Sequence, residues 1–458
     1  MKKSIFVALT GALLALTAAL LTPVTGADAV EPMPVHGTVV PVKPERTWPK
    51  ITTGVVNGGD QVGDYIVYGG SFTSVTLADG TVVPRSNVVA FNVNTGALLT
   101  TFAPTLDGVV SVVEAGDVPG TVYLGGKFKN VNGQAARRLV KLDLTTGQRV
   151  AGFTANTDAE VKTIARKGDR LFIGGEFTVV NGLSRSRLAE VSAATGAVNA
   201  NFDVPVTGSR ATGCRQDGWC GTMSGPVVRA VRVTPDGNTL MVIHRGDKVG
   251  GQTRWGAAKI DISGPVPVVT GWRTNLWDQA QNNGRTDFVG IVEGDMSPDG
   301  SMIAFSNIIG NFPPLHDTVV ALPVAGDGLV SPLWVTQNFD STYGLAISDA
   351  AVYVGGHFCW TEGPLSVGAG LYWPGYAGNQ YSCTATSGSV FQPKTVYRYH
   401  LAALNPATGQ ALDWNPGSNN SNNGVNFLRT VPRGLLLGHD GTRVYQLNVG
   451  RAAFFDLQ

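Results

Sequence analysis

From position 48 onward, apolar residues come in short runs set apart by Gly, Asn and Asp, and no stretch keeps a helical period. The cleanest stretch predicts four strands, at 161–165, 171–177, 187–191 and 198–203. Turns at Lys167-Gly168-Asp169, Asn181-Gly182 and Thr195-Gly196 separate them. The runs are rich in β-branched and aromatic residues, which fit a half-buried pleated surface.

The second of these strands ends in a recurring phrase, an apolar run closing on Gly-Gly, a polar residue and Phe. It reads Tyr65-Ile66-Val67-Tyr68-Gly69-Gly70-Ser71-Phe72, then Val122-Tyr123-Leu124-Gly125-Gly126-Lys127-Phe128, then Leu171-Phe172-Ile173-Gly174-Gly175-Glu176-Phe177, and late in the chain Val352-Tyr353-Val354-Gly355-Gly356-His357-Phe358. Looser copies at 240, 302 and 435 bring the count to seven, with six or eight units also compatible. An aromatic recurs around the fourth strand at Phe102, Phe153, Phe202, Trp272, Phe339 and Trp414. A single four-stranded sheet cannot bury both faces, whereas a ring of sheets can. The pattern therefore predicts an all-β, seven-bladed β-propeller of four-stranded antiparallel blades over 47–458. The Gly pair marks a close approach of backbones where sheets crowd.

The motifs at 122–153 (Val-Tyr-Leu-Gly-Gly-Lys-Phe, Val-Asn-Gly-Gln, Arg-Leu-Val-Lys-Leu-Asp, Thr-Gly, Phe) carry a resemblance. The chain resembles the delta-60 repeat β-propellers of exported bacterial proteins, common in actinobacteria, closely over 55–205 and 349–363. The resemblance implies the fold and export, and assigns no catalytic residue.

In a meandering blade, the connections from second to third strand and from fourth to the next first strand share one face. The long segments, 74–85, 205–226, 274–287, 361–394 and 415–424, fall nearly all on that face. Loops placed by a rigid scaffold are where binding residues concentrate.

The N-terminus adds a basic pair (Lys2, Lys3), an apolar run over 5–21 and a small-x-small site at Ala27-Asp28-Ala29. Residues 1–29 read as a signal peptide and 30–46 as a Pro-rich linker. The mature chain is expected to be secreted, or to sit at the extracellular cell-envelope surface, without membrane insertion, as a monomer. Export puts the four cysteines in an oxidising compartment, and nearest-neighbour pairing gives Cys214–Cys220 and Cys359–Cys383. A net charge of +1 with 15% charged residues leaves no footprint for nucleic acid.

Candidate chemistry lies in the long segments. Trp277, Trp360, Tyr372 and Trp373 are the expected stacking residues. Asp278, Arg285 and Glu362 would orient a ligand, or supply acid–base work in an enzyme. Asp287, Glu293 and Asp295 are further acids by position. His244, His357 and His439 fall at the end of the second strand in three units, where Lys127 and Glu176 stand in others; they read as rim residues, with no metal or cofactor expected. No nucleophile elbow, phosphate loop or dinucleotide fingerprint occurs. The leading expectation is a non-catalytic module that binds an extracellular glycan polymer or a protein. The alternatives are a polysaccharide hydrolase or lyase using the same face, and a scaffold module for envelope assembly.

Overall fold

A computed structural model describes residues 1, 35–45, 48–208, 225–277, 290–308, 317–338, 340–363 (the Glu362 side chain aside), 395–419 and 424–458. Among these, every regular element is a β-strand. Among the described residues, units open on first strands Val56–Val62, Val110–Ala115, Val161–Lys167, Val228–Val233, Ile291–Met296, Thr342–Ile347 and Val425–Val431, numbered one to seven here. In each, the first strand pairs antiparallel with the second and the second with the third. Each first strand packs on the first strand of the next unit, and that of unit seven packs on that of unit one.

The fourth strand departs from expectation. Among the described residues it is a ladder only in unit four (Val268–Val269) and unit five (Trp334–Gln337). Units one, two, three and six keep a single bridge, Phe91–Leu98, Leu142–Arg149, Val191–Val198 and Leu404–Ala411. The reason is local. Just after the bridge the chain turns, as in the bond from the Phe202 amide to the Asn199 carbonyl. The turn drops Phe102, Phe153, Phe202, Trp272 and Trp414 into the core. Those aromatics bury large area from a turn, not from a strand.

In all seven units the register slips by one residue at the same place, between the first and third residues of the ladder. The extra residue of this bulge is Asn57, Ser111, Lys162, Arg229, Val292, Tyr343 or Asn426. A bulge bends its strand and re-aims a side chain.

The bulge and the Gly pair explain each other. A Cβ on the second glycine would stand 2.0–2.1 Å from the carbonyl oxygen just before the bulged strand in units one, two, three and six. One on the first glycine would meet the opening valine of the next unit, 2.4 Å from Val228 Cγ1 in the case of Gly174. Unit four exchanges the roles. Ile243 replaces the first glycine, and the facing residue is Gly294, whose Cβ would lie 2.2 Å from Ile243 Cδ1.

Residues 35–45, in the Pro-rich segment, are packed on units six and seven. His36 Nε2 donates to the Val431 carbonyl at 2.8 Å, the Val40 amide donates to the Tyr353 hydroxyl at 2.9 Å, and the Glu45 amide donates to the Phe454 carbonyl at 2.9 Å. Trp48 follows, its ring 4.8 Å from Phe454 and 5.9 Å from Phe91. The N-terminal segment thus covers the outer edge of unit seven's third strand, which would otherwise be an open sheet edge.

Candidate functional site

The face carrying the long connections is built on repeated hydrogen bonds. Between second and third strands, the turns read from sequence close small hairpins of their own, such as Val179–Val180 with Leu183–Ser184 around Asn181-Gly182. Asp158 caps that hairpin: its Oδ1 accepts from the amides of Thr178 at 2.7 Å and Val179 at 2.9 Å. Asp107 does the same for Lys129 and Asn130 one unit earlier. The residue before the third strand is left-handed in several units, with φ of 68° at Asn87, 70° at Arg138, 69° at Arg187 and 68° at His400. Non-glycine residues hold that conformation only where surroundings fix it. Here the side chain does so: Asn87 donates to the Leu106 carbonyl at 3.1 Å, Arg138 to Thr157 at 2.7 Å, and His400 Nδ1 to Ser418 at 2.5 Å.

On this frame two slots recur at the inner edge of the face, the bulge residue and the residue after the second strand. In unit three they hold Lys162 and Glu176, 3.2 Å apart. Glu160 adds a second acceptor, 2.6 Å from Lys162 and 2.7 Å from the Ser111 hydroxyl. Burial works to raise the Glu160 carboxyl, but Lys162 and the Ser111 hydroxyl outweigh it and hold it below the usual range. In unit six the slots hold Tyr343 and His357. His357 Nδ1 lies 3.4 Å from Asp340 Oδ2, each side chain 41% exposed, so this pair meets solvent. The hydrogen bond to Asp340 raises the imidazole above its ordinary pKa against partial burial, with the charge of Asp440 adding. For Asp340, burial is outweighed by the bonds from His357 and the Ser341 amide, and its carboxyl is lowered.

A row of rings leads outward from His357. It stacks on His400 at 5.7 Å, His400 on Tyr399 at 4.1 Å and Tyr399 on Tyr397 at 6.1 Å, and Tyr397 meets Trp360 edge-on at 5.1 Å. Tyr397 and Tyr399 are half-buried.

Of the sequence-predicted site, Trp360 is in this row, 9% exposed. Trp277 is not a surface stacker, which corrects the expectation. It is 2% exposed, its ring edge-on to Phe305 at 5.6 Å, in a space left by Gly256. Its ring is part of the core shared with Ile291 and Phe305. Glu362 pairs through its backbone with Gln337 and Thr395. Asp278, Arg285, Tyr372, Trp373, Cys214, Cys220 and Cys383 lie outside the described residues. Cys359 is buried and is not a free thiol. Glu293 and Asp295 belong to a charge cluster, with Arg232 2.7 Å from Asp295 and 3.8 Å from Glu293. Asp340, Tyr343, Tyr397, Tyr399 and His400 escaped the sequence reading. The alignment of repeats that marks His357 carries no sign of the bulge, because the register slip has no residue signature of its own.

The three histidines read from sequence as equivalent are not in register: His244 and His439 close their second strands, where Gly356 stands in unit six, whereas His357 follows its strand, and they divide by burial accordingly. His244 and His439 are fully buried; only His357 reaches solvent. Among the described residues, no three His, Cys, Asp or Glu side chains gather as a metal site needs. His439 donates through Nε2 to the Gly450 carbonyl at 2.7 Å, and its Nδ1 accepts from the Ser418 hydroxyl at 2.7 Å. Burial pulls this imidazole down to about 4, against the pull of the Gly450 carbonyl. A histidine held neutral in the fold contributes stability that is complete above its unfolded value near 6.5 and lost as pH falls toward 4. Between pH 6.5 and 4 the wild type should lose roughly 2–3 kcal/mol relative to a His439→Gln variant. Parallel urea unfolding of both proteins checks this. A constant difference across that window would show that His439 does not titrate as its contacts require.

No protein-family model matches the chain, and no curated protein matches it. Among solved structures it is similar to the computationally designed Ika8 protein, at 11% identity and a TM-score of 0.47, covering 90% of this chain and 100% of that one. It is also similar to the β-propeller domain of Cps50 (Swd1) from Myceliophteria thermophila, at 10% identity and a TM-score of 0.43, covering 91% of this chain and 100% of that one.

Proposed function

We propose that the chain is a secreted, monomeric seven-bladed β-propeller of the delta-60 repeat kind, which binds an extracellular glycan polymer through the face carrying its long connections. Two features support the closed seven-bladed form: the first strands contact one another in a cycle, last to first, and the N-terminal segment covers the edge of the last unit. The observation that carries the function is the row Trp360, Tyr397, Tyr399, His400, His357, which ends at the solvent-facing Asp340. Half-buried ring faces suit the apolar faces of sugar rings, and the carboxylate and imidazole beside them suit hydroxyls. Export goes with the proposed pairs Cys214–Cys220 and Cys359–Cys383, which would stiffen two connections on this face.

A second reading, cleavage of the bound polymer, has the Asp340–His357 pair in its favour. An imidazole with a raised pKa beside a carboxylate suits a general acid or base. Glycan-array binding with product analysis on the mature chain separates the two. Binding without turnover supports the module; new reducing ends or unsaturated products support the enzyme. Tyr399→Ala should weaken binding about tenfold, in the range for losing a stacking ring, while the melting temperature stays within a few degrees. Normal binding by a folded Tyr399→Ala protein would remove the ring row from the site. Peptide mapping of the same material without reduction reads the pairing, and a Cys214–Cys383 cross-link would refute it.

A further inference from the structure

Among the described residues, four units close the hairpin between second and third strands with a two-residue turn of one shape. Both turn residues are left-handed. Asn132 and Gly133 have φ of 51° and 74°, Asn181 and Gly182 of 48° and 83°, Gly250 and Gly251 of 56° and 79°, and Tyr445 and Gln446 of 49° and 62°. That shape suits Asn-Gly and Gly-Gly, because glycine has no Cβ to clash and asparagine can bond locally. Asn132 and Asn181 do bond locally. Asn132 Nδ2 donates to the Gly147 carbonyl at 3.0 Å, and its Oδ1 accepts from the Thr105 amide at 2.8 Å. Asn181 repeats both bonds, to the Gly196 carbonyl at 3.0 Å and from the Asn156 amide at 2.8 Å. Unit seven departs from this rule. Tyr445 and Gln446 are both exposed, the tyrosine by 43%, and neither residue type eases a left-handed backbone. Two such residues in succession strain the turn. An exposed ring adds no core packing to offset that strain.

The turn does give the ring a position. The Tyr445 amide donates to the carbonyls of Pro416 at 2.9 Å and Gly417 at 3.3 Å. Gly417 lies against Tyr399, and a Cβ on it would stand 3.5 Å from Tyr399 Cδ1. The next residue, Ser418, donates its amide to the Tyr399 carbonyl at 3.1 Å. The turn of unit seven is thus one peptide layer from the ring row of unit six.

We infer that Tyr445 is a further binding residue of this face, carrying the ring row from unit six onto unit seven, so that the ligand is an extended stretch of polymer lying across both units. The inference rests on the glycan-binding reading and adds to it a residue and a binding mode. A tyrosine on a short, hydrogen-bonded turn offers a sugar ring an apolar face with little freedom left to lose. Rings on one unit alone would hold a short oligosaccharide about as well as a polymer. Rings on two units act as linked sites, and affinity then grows with chain length.

The test uses the full mature chain and a double variant, Tyr445→Asn with Gln446→Gly, which gives unit seven the turn of units two and three. Affinity electrophoresis through gels holding xylan, hydroxyethylcellulose, galactomannan, polygalacturonate or dextran first finds the polymers that retard wild type. The double variant should melt higher than wild type, because its turn is unstrained, and bind a retarding polymer about tenfold more weakly. Competition by the hexasaccharide and the disaccharide of that polymer reads the mode. On wild type the hexasaccharide should compete about tenfold better, and in the double variant that gap should narrow several-fold. Tyr445→Phe keeps the ring and should bind as wild type does. A double variant that melts lower would show that the turn is not strained and overturn the inference. Equal losses for hexasaccharide and disaccharide would overturn the extended mode. If Tyr399→Ala weakens binding and the double variant binds as wild type does, the inference fails and the glycan reading stands. If no gel retards wild type, the glycan reading fails and the inference falls with it.

Discussion

Replacing Arg429 with Met is expected to destabilise the fold by about 3–5 kcal/mol, the range for breaking a buried ion pair from one side. Arg429 lies on the first strand of unit seven and reaches two other units. Its Nη2 is 3.0 Å from Asp60 of unit one and 2.7 Å from Glu114 of unit two. Nη1 donates to the Val113 carbonyl at 3.2 Å. Asp60 also accepts from the amides of Ala115 at 2.8 Å and Gln61 at 2.9 Å. The cluster therefore ties the last unit to the first two, where the ends of the chain meet. Burial pushes the Asp60 carboxyl up to about 7, with Arg429 pulling it down and Glu114 pushing it up. Without the guanidinium, two carboxylates would face each other with little solvent. The folded-state pKa of Asp60 would then stand further above its unfolded value, so the variant's stability should rise as pH falls from 7 toward 4. Urea unfolding at pH 7 gives the magnitude. Adding Asp60→Asn and Glu114→Gln should recover most of the loss, since neutral groups need no counter-ion. A loss under about 1 kcal/mol in the single variant would mean that water already screens the cluster.

Unit three could be read almost entirely from its residues, because its signals are local. Asn181-Gly182 and Thr195-Gly196 are turn dipeptides with their own backbone preferences, and the runs between them alternate as half-buried strands do. The bulge was not legible. It shifts register between Val161 and Thr163 without any Gly or Pro to mark it, and only the recurrence of the slip in every unit gives it away. The shortened fourth strand was hidden for a different reason. Val198 and Phe202 are apolar whether they lie in one strand or across a turn, and pattern alone does not separate the two. Residues 35–45 look like a linker because composition is all a Pro-rich segment offers. What holds them is the His36 side chain, the Val40 and Glu45 amides and the Pro41 carbonyl, meeting units far along the chain.

The site was less legible than the fold because its parts, all in unit six, come from different strands and connections of that unit. Asp340, Tyr343, His357 and His400 span sixty positions and share a place only through the stacking of strands. Trp277 shows the opposite error. An aromatic in an amide-rich connection suggests a ligand platform, but the residue that decides its role is Gly256, which leaves the space it fills.

The second large effect is expected at Gly174, where Gly174→Ala should cost about 3 kcal/mol, the upper part of the overpacking range. The added Cβ would stand 2.4 Å from Val228 Cγ1 and 2.8 Å from Thr163 Cγ2, with Val228 Cβ at 3.0 Å. Val228 is fully buried, opens the first strand of unit four and, being β-branched, has no free rotamer to swing into. Relief must come from moving one sheet against the next. The collision is specific to one partner, so it can be tested as a pair. Val228→Ala alone leaves a cavity and should cost about 1–2 kcal/mol. In the double variant the new methyl occupies part of the space that the valine vacates. The two losses should then fall short of their sum by about 2 kcal/mol, well outside the few tenths expected of independent sites. Unit four already holds a natural version of this exchange, with Ile243 in the glycine slot and Gly294 facing it. Four urea curves, for wild type, the two singles and the double, settle the matter. Additive losses within about 0.5 kcal/mol would mean that the glycine is present for its backbone alone and not for the approach of the neighbouring unit.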